Sequence, residues 1–500
     1  MPKFLIIILL ILFLTGCSQS ATVPGGSILL STNQNNMTNE NIRQPMVAGQ
    51  FYPNDAGKLQ AMIDGYLQTV VVNKLAPPQA IIVPHAGLEF SGATAAPAFK
   101  QLQGWEYDRV VLIGPSHQQY FRGAAVLAED YYQTPLGQIK IAEVNKELVD
   151  NELFELRSDV FDNEHALEIE LPWLQTVLDE FELIPIIIGS DNSYEQLQAI
   201  SQTIRDLLTD KTLLVVSTDF LHYGPNYNYV PFIDNLPENI QQIDEQAFTY
   251  IQVKDGLGFY NYIKDSGATI DGMTIIPVAL EIFSNSEVVK LKYETSGNLF
   301  GDYTNSVSYA AFSFYEQTNL NLTSDQQDYL LKLARQSLTA AVNNQTAPKV
   351  DLDNIDKRLL IRQGVFVTLE KDGQLRGCIG YIPPYQSIAQ AVIDNARSAA
   401  LNDHRFNPVR SEELNDITVE VSVLSVPTLL TDKSKLIPGV DGLVLQLGNK
   451  QATYLPQVWE DLSDRESFLS SLSQKAGLTK DAWQNLESLW YVYQAVHFRE

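Results

Sequence analysis

The chain has 500 residues, enough for at least two domains, with 60 Asp and Glu against 34 Lys and Arg and a formal charge of −26 at pH 7. An acidic excess of that size disfavours nucleic acid or an anionic membrane surface as a partner, and is otherwise accounted for by a well-solvated surface. There are two cysteines, Cys17 and Cys378, so no disulfide framework supports the fold.

Lys3 precedes eleven uninterrupted apolar residues, 4–14. Eleven residues are too few to cross a ~30 Å hydrocarbon core as a helix. A signal h-region fits better than a membrane span. Leu14-Thr15-Gly16-Cys17 resembles the bacterial lipobox. That resemblance implies a lipoprotein signal peptide over 1–17, lipidation of Cys17, and a lipid-anchored membrane protein of the bacterial cell envelope. The plainer alternative is an ordinary secretory signal with an incidental cysteine. With Cys17 on lipid, Cys378 has no partner in the chain. Residues 18–41 are rich in Ser, Thr, Asn and Gly without periodicity, which reads as a flexible tether.

Over residues 42–316 apolar runs alternate with helical patterns, the signature of an α/β domain with a mostly parallel sheet flanked by helices. The runs are 80–83, 109–113, 183–189 and 212–217; helices are expected over 56–70, 92–102, 145–153, 165–181 and 193–209. Pro97 should kink or delay the second helix. Open parallel sheets bind ligands beyond the carboxyl ends of their strands. His85, His117, and Asp219 with His222, each follow such a run, and the chain has six histidines in all. One histidine at a strand end is most often structural. Three on one rim point to a metal, because imidazole is the commonest neutral ligand for Zn, Fe and Cu. His165 opens the expected 165–181 helix behind Asn163, a suitable N-cap. It belongs either to a capping cluster or to the site, as an acid or a substrate contact, with Glu168 on the same face at i, i+3.

Val47-Ala48-Gly49-Gln50-Phe51-Tyr52-Pro53, Pro84-His85-Ala86-Gly87, Gly114-Pro115-Ser116-His117, Glu164-His165-Ala166-Leu167-Glu168, Ser217-Thr218-Asp219-Phe220-Leu221-His222-Tyr223-Gly224 and Ser306-Val307-Ser308-Tyr309-Ala310-Ala311 together resemble the Memo family. That family is structurally similar to class III extradiol dioxygenases, which use non-haem Fe(II). The resemblance implies His85 and His117 as metal ligands and His222 as a pocket acid–base or further ligand. Asp219 and His165 join His222 as catalytic candidates. Memo proteins usually carry Cys-Gly late in the domain, where this chain has Asp271-Gly272. Two histidines with one carboxylate form the facial triad of Fe(II) oxygenases, whereas thiolate favours softer metals. A His85/His117/Asp271 site is therefore expected for one divalent metal, with Fe(II) favoured and Mn, Zn or Cu as alternatives. The bland alternative has Asp271 capping the next turn and no metal bound.

Residues 317–324 lack periodicity and read as a linker to a second, α+β domain over 325–500. Its expected elements are a helix over 325–342, strands 365–369 and 374–380 about Lys371-Asp372-Gly373, a helix over 388–401 capped by Ser387, a strand over 416–423, and a hairpin from 442–448 and 451–455. Leu375-Arg376-Gly377-Cys378-Ile379-Gly380 resembles the signature of the AMMECR family. Asp403-His404-Arg405-Phe406, Gly442-Leu443-Val444-Leu445 and Ala452-Thr453-Tyr454-Leu455-Pro456-Gln457-Val458-Trp459 support the match. Within Arg376, Gly377, Cys378 and Gly380, the cysteine is either a small core residue or a thiolate favoured by Arg376, with His404 as a partner.

Memo-like and AMMECR-like domains occur together in the AmmeMemoRadiSam system, which implies a radical SAM partner inside the cell, while a lipobox sends this chain outside. Three function classes stand. They are a metal-dependent oxidoreductase or hydrolase on an unknown small-molecule or peptide substrate, a metal- or peptide-binding module without turnover, and an envelope scaffold.

Overall fold

Runs of Ile, Val and Leu with no polar alternation form strands buried on both faces, and four such runs make the centre of the N-terminal domain. Ala80–Val83, Thr212–Ser217, Arg109–Pro115 and Glu182–Ile188 are neighbours in that order and run parallel. The computed structural model describes residues 41–500 other than Asp353; the expected signal peptide, Cys17 and all but the last residue of the expected tether lie outside the described residues. Ile81 and Val83 face one apolar layer, with Leu59, Phe99 and Trp173 from the helices Ala56–Gln68, Leu88–Lys100 and Leu171–Val177. Ile82 faces the other, with Ile200, Phe248 and Val278 from Tyr194–Leu207, Leu236–Val253 and Ile276–Ile282. The chain visits the strands beginning at 80, 109, 182 and 212 in sequence, yet the last is inserted between the first two. This crossover sets three carboxyl ends side by side, and such a reversal is where open sheets bind ligands. Antiparallel strands flank the parallel centre, among them Ser306–Tyr315 beside Ala80–Val83. The domain is thus α/β, as expected.

Three local expectations are corrected. The second helix begins at Leu88 rather than 92 and runs through Pro97 to Lys100. Leu88 N–H donates to the Phe51 carbonyl at 2.8 Å, which anchors the early start. Proline at 97 leaves the Ala93 carbonyl without its helical donor; Lys292 Nζ fills that place at 3.0 Å. The expected 145–153 helix is only Val144–Glu147 followed by the turn Leu148–Asp150. Asn145 and Asn151 bond elsewhere, to the Leu127 carbonyl (2.6 Å) and to Leu153 N–H (3.0 Å), competing with the helix ladder. The expected 165–181 helix is a 3-10 turn, Glu168–Glu170, and then Leu171–Val177. Asn163 is in the left-handed region at φ 59° instead of capping, and the α-helix starts where Pro172 fits its first turn.

The C-terminal domain is α+β and antiparallel, as its hairpins suggest. One sheet has the order Gln374–Tyr381, Val365–Lys371, Ile417–Leu424, Ala495–Arg499; the other Thr428–Leu429, Leu489–Tyr493, Gly442–Leu447, Lys450–Tyr454. Asp372 (φ 54°) and Gly373 (φ 71°) close the first hairpin in the left-handed geometry that two-residue turns require. Ser324–Val342, with a Thr323/Gln326 capping box, and Ile388–Leu401, capped by Ser387, cover one face of the first sheet. The two domains join through a Lys74–Thr428 bridge, an Arg362–Asp210 ion pair at 2.6 Å and a hydrogen bond from Tyr491 Oη to the Val72 carbonyl at 3.1 Å. No helix among the described residues is long and apolar enough to cross a membrane.

Candidate metal centre

The crossover brings His85, His117 and His222 to one place, and the turn Asp271–Met273 carries Asp271 between them. Asp271 Oδ2 lies 3.3 Å from His85 Nε2, 3.5 Å from His117 Nε2 and 3.8 Å from His222 Nε2. That oxygen is buried and has no partner of hydrogen-bonding geometry. Ligands held 2.0–2.1 Å from one tetrahedral ion stand about 3.4 Å apart, so these separations suit donors around a common cation. Gly272 makes the approach feasible: a Cβ there would strike the Ile276 side chain and the Thr218 hydroxyl.

The far side of each ring is held by a hydrogen bond. His222 Nδ1 faces two carbonyl oxygens, Phe220 (2.9 Å) and Thr269 (3.1 Å), so it carries the proton. His117 Nδ1 donates to Glu164 Oε1 at 2.9 Å, and Glu164 also accepts His117 N–H at 2.7 Å. His85 Nδ1 lies 3.2 Å from Ser217 Oγ, which itself sits 2.5 Å from the Ala166 carbonyl and 2.8 Å from Glu170 Oε1. One hydroxyl proton cannot serve both neighbours. Ala166 has no proton to give, so the hydroxyl donates there. Burial pushes the Glu170 carboxyl well up, which favours the protonated form that can donate to Ser217. Ser217 Oγ then accepts from Glu170 and from His85 Nδ1. All three rings thereby present Nε2 toward Asp271, the arrangement in which an outer acceptor orients a metal-binding imidazole.

Without a metal these groups compensate one another. Burial would lower His117, but the Asp271 carboxylate beside it and the hydrogen bond to Glu164 raise it to about 10. Burial would raise Glu164, but the bond from His117 brings it to about 2. Burial likewise opposes ionisation of Asp271, yet the nearby His222, His117 and His85 imidazoles hold it far below the carboxylate range.

His165 joins the cluster from the other side. Its ring stacks on His117 at 4.6 Å, meets His85 edge-on at 5.1 Å and rests against Phe51 at 4.8 Å. Burial and then the His85 and His117 charges lower it to about 3, so it is neutral. Ligand atoms of His85, His117 and His165 lie within 4.8 Å of one another, as do those of His85, Asp219 and Asp271. Asp219 Oδ1 accepts His85 N–H at 2.9 Å, fixing the strand end. The expected His165–Glu168 pairing is not formed. Glu168 turns away and receives Arg43 Nη1 (2.8 Å), Tyr52 Oη (2.7 Å) and the N–H groups of Met46 and Val47. Its role is to seat the 46–53 segment, which delivers Phe51 to His165. Sequence reasoning missed Glu170 and the orienting role of Glu164. The available signal was a set of carboxylates, Glu164, Glu168 and Glu170, among Ala, Leu and Ile, where burial demands partners.

In the C-terminal domain Arg376 does not serve Cys378. Its guanidinium is bound by Glu413 at 3.1 and 3.0 Å and by the Asn407 carbonyl at 2.9 Å. Burial pushes the Cys378 thiol up, and Thr368 Oγ1 lies 3.3 Å from its sulfur. His404 is exposed; Asp403 instead accepts Cys378 N–H at 2.8 Å. Gly377 and Gly380 are spacers: a Cβ at 377 would collide with the Ala399 carbonyl and one at 380 with the Phe366 ring.

The Memo-like protein family matches residues 43–313. The chain belongs to this family. The AMMECR1 family matches residues 331–498, so a Memo-like domain is followed by an AMMECR1 domain. Protein MEMO1 of Homo sapiens is 30% identical over 285 residues, covering 54% of this chain and 96% of that protein. A MEMO1 family protein of Nitrosopumilus maritimus is 30% identical over 290 residues, 55% of this chain and 99% of its own. A protein of Methanothermobacter thermautotrophicus is 42% identical over 188 residues, 36% of this chain and 96% of its own. In this Memo-like domain the carboxylate of Asp271 sits among the histidines.

Proposed function

We propose that the Memo-like domain is a metal-dependent oxidoreductase of dioxygenase-like type, with one divalent metal held by His85, His117 and Asp271 and Fe(II) favoured. The observation that carries this is the buried Asp271 Oδ2, without a hydrogen-bond partner amid three Nε2 atoms. Two imidazoles and a carboxylate are the donor set of non-haem Fe(II) oxygenases. Such an ion, when bound, supplies Lewis-acid and redox chemistry. His165, Asp219 and His222 line the adjoining cavity. His222, fixed through Nδ1, takes or gives a proton at Nε2. Neutral His165 offers a hydrogen bond to a substrate. Metal analysis of anaerobically purified wild type and Asp271→Ala tests the ligand set: bound metal in the wild type alone is expected, and equal content in both sinks it. Oxygen uptake with a panel of catechol-like compounds tests the reaction class, and silence across the panel favours a binding module.

Leu14-Thr15-Gly16-Cys17 further supports anchoring of the chain in a bacterial envelope through lipid on Cys17. Cys17→Ala is expected to move the protein from the membrane to the soluble fraction; retention in the membrane counts against lipidation.

A further inference from the structure

A cavity of about 600 Å³ opens beside the histidines. Its inner end is polar, with His165, Asp219 and His222; its outer end is aromatic, with Phe90 and Phe300. Among the described residues that line it there is no Lys or Arg, while Asp302 stands in the wall. Phe90 is 43% and Phe300 60% exposed, and their rings meet edge-on with centroids 5.3 Å apart at 64°. Two phenylalanine rings in contact with each other at a cavity offer an apolar surface on which a ligand ring can pack. Their ring faces carry negative potential, which attracts cations. The Asp302 carboxylate, held below its usual range by the Thr304 N–H at 2.9 Å, adds a fixed negative charge.

We propose that this mouth selects an aromatic ligand whose outer end carries an ammonium, with the ring against Phe90 and Phe300 and the positive charge toward Asp302, and that it disfavours the same ring with an anionic outer end. The proposal deepens the metal-centre reading and rests on it only for the inner end of the ligand. A metal attracts an anionic donor atom at that inner end; the mouth discriminates on the group left outside.

Tyramine and 3-(4-hydroxyphenyl)propionate share a phenol and a two-carbon chain and differ in the sign of the terminal charge. Isothermal titration of both into the metal-free and the Zn(II)-loaded full chain reads the selection directly. Tyramine is expected to bind about tenfold more tightly in each form. Asp302→Asn is expected to narrow the ratio to about threefold, and Phe90→Ala with Phe300→Ala to weaken tyramine about tenfold. Equal or tighter binding of the propionate, or tyramine affinity unmoved in the double variant, overturns the proposal. Metal content is measured on the same samples. A wild type that holds no metal while preferring tyramine in the metal-free form defeats the metal-centre reading alone. Normal metal content without the preference defeats the mouth alone.

Discussion

The chain carries two sets of chemistry-bearing residues on sheets, and they differ in what is left unpaired. In the N-terminal domain three imidazole Nε2 atoms surround a buried carboxylate oxygen with no hydrogen-bond partner. In the C-terminal domain Arg376 is bound by Glu413, Asp403 by Arg405 (2.7 Å) and the Cys378 N–H, and the Cys378 sulfur lies beside Thr368. Buried polar groups ordinarily find partners. A cluster that leaves one unmet is a place for a ligand; a cluster that satisfies itself holds the fold together. The first set is a candidate metal site, whereas the second satisfies itself within its domain.

The comparison can be broken most directly at Asp271. Asp271→Ala is expected to lower metal content at least about tenfold, measured by elemental analysis, while Cys378→Ala leaves it unchanged. Next, Glu164→Ala should weaken metal affinity about 10- to 100-fold by freeing the His117 ring, read by chelator competition; unchanged affinity would mean that Glu164 does not orient a metal ligand. In the second set, Gly377→Ala should destabilise the protein by about 2–3 kcal/mol in denaturant unfolding, because the added methyl meets the Ala399 carbonyl, with metal content normal. A smaller effect concerns pH. The hydrogen bonds from Arg376 and from Arg410 N–H hold the Glu413 carboxyl down at about 2 against its ordinary 4.5. A depressed carboxyl stabilises the fold above its unfolded value and loses that contribution as pH falls from about 4.5 toward 2. Solvent reaches the pair, so Glu413→Gln should cost about 1 kcal/mol near neutrality and flatten the acid limb of the unfolding curve. Smallest of all, Cys378 alkylation should be slow at neutral pH with a midpoint above the ordinary 9, since burial raises the thiol; fast neutral alkylation would reopen the second set as a reactive site.

Much of this was legible in the residues. Apolar runs without alternation announced strands buried on both faces, and the histidines just past them announced one rim. Asp372-Gly373 announced a two-residue hairpin. The expectations that failed depended on what a side chain meets across the fold. The 165–181 periodicity looked continuous, but Glu168 was needed by Arg43 and Tyr52, far away in the chain. Pro97 looked disruptive, but a lysine nearly two hundred residues later supplies the missing donor. Arg376 and Cys378 share a strand, yet the guanidinium found Glu413.

Sequence alone therefore determined which histidines lie at strand ends and that a carboxylate, Asp271, stands beside a glycine late in the domain. Residue order cannot state sheet order, because the strand Thr212–Ser217 inserts between two earlier ones. Only that crossover puts His85, His117 and His222 within reach of a single oxygen. Only the packing of the turn Asp271–Met273 leaves that oxygen buried and without a hydrogen-bond partner. The physical reason is the same in both domains: local pattern dictates which groups are polar and where they start, and tertiary contacts decide which of them are already satisfied.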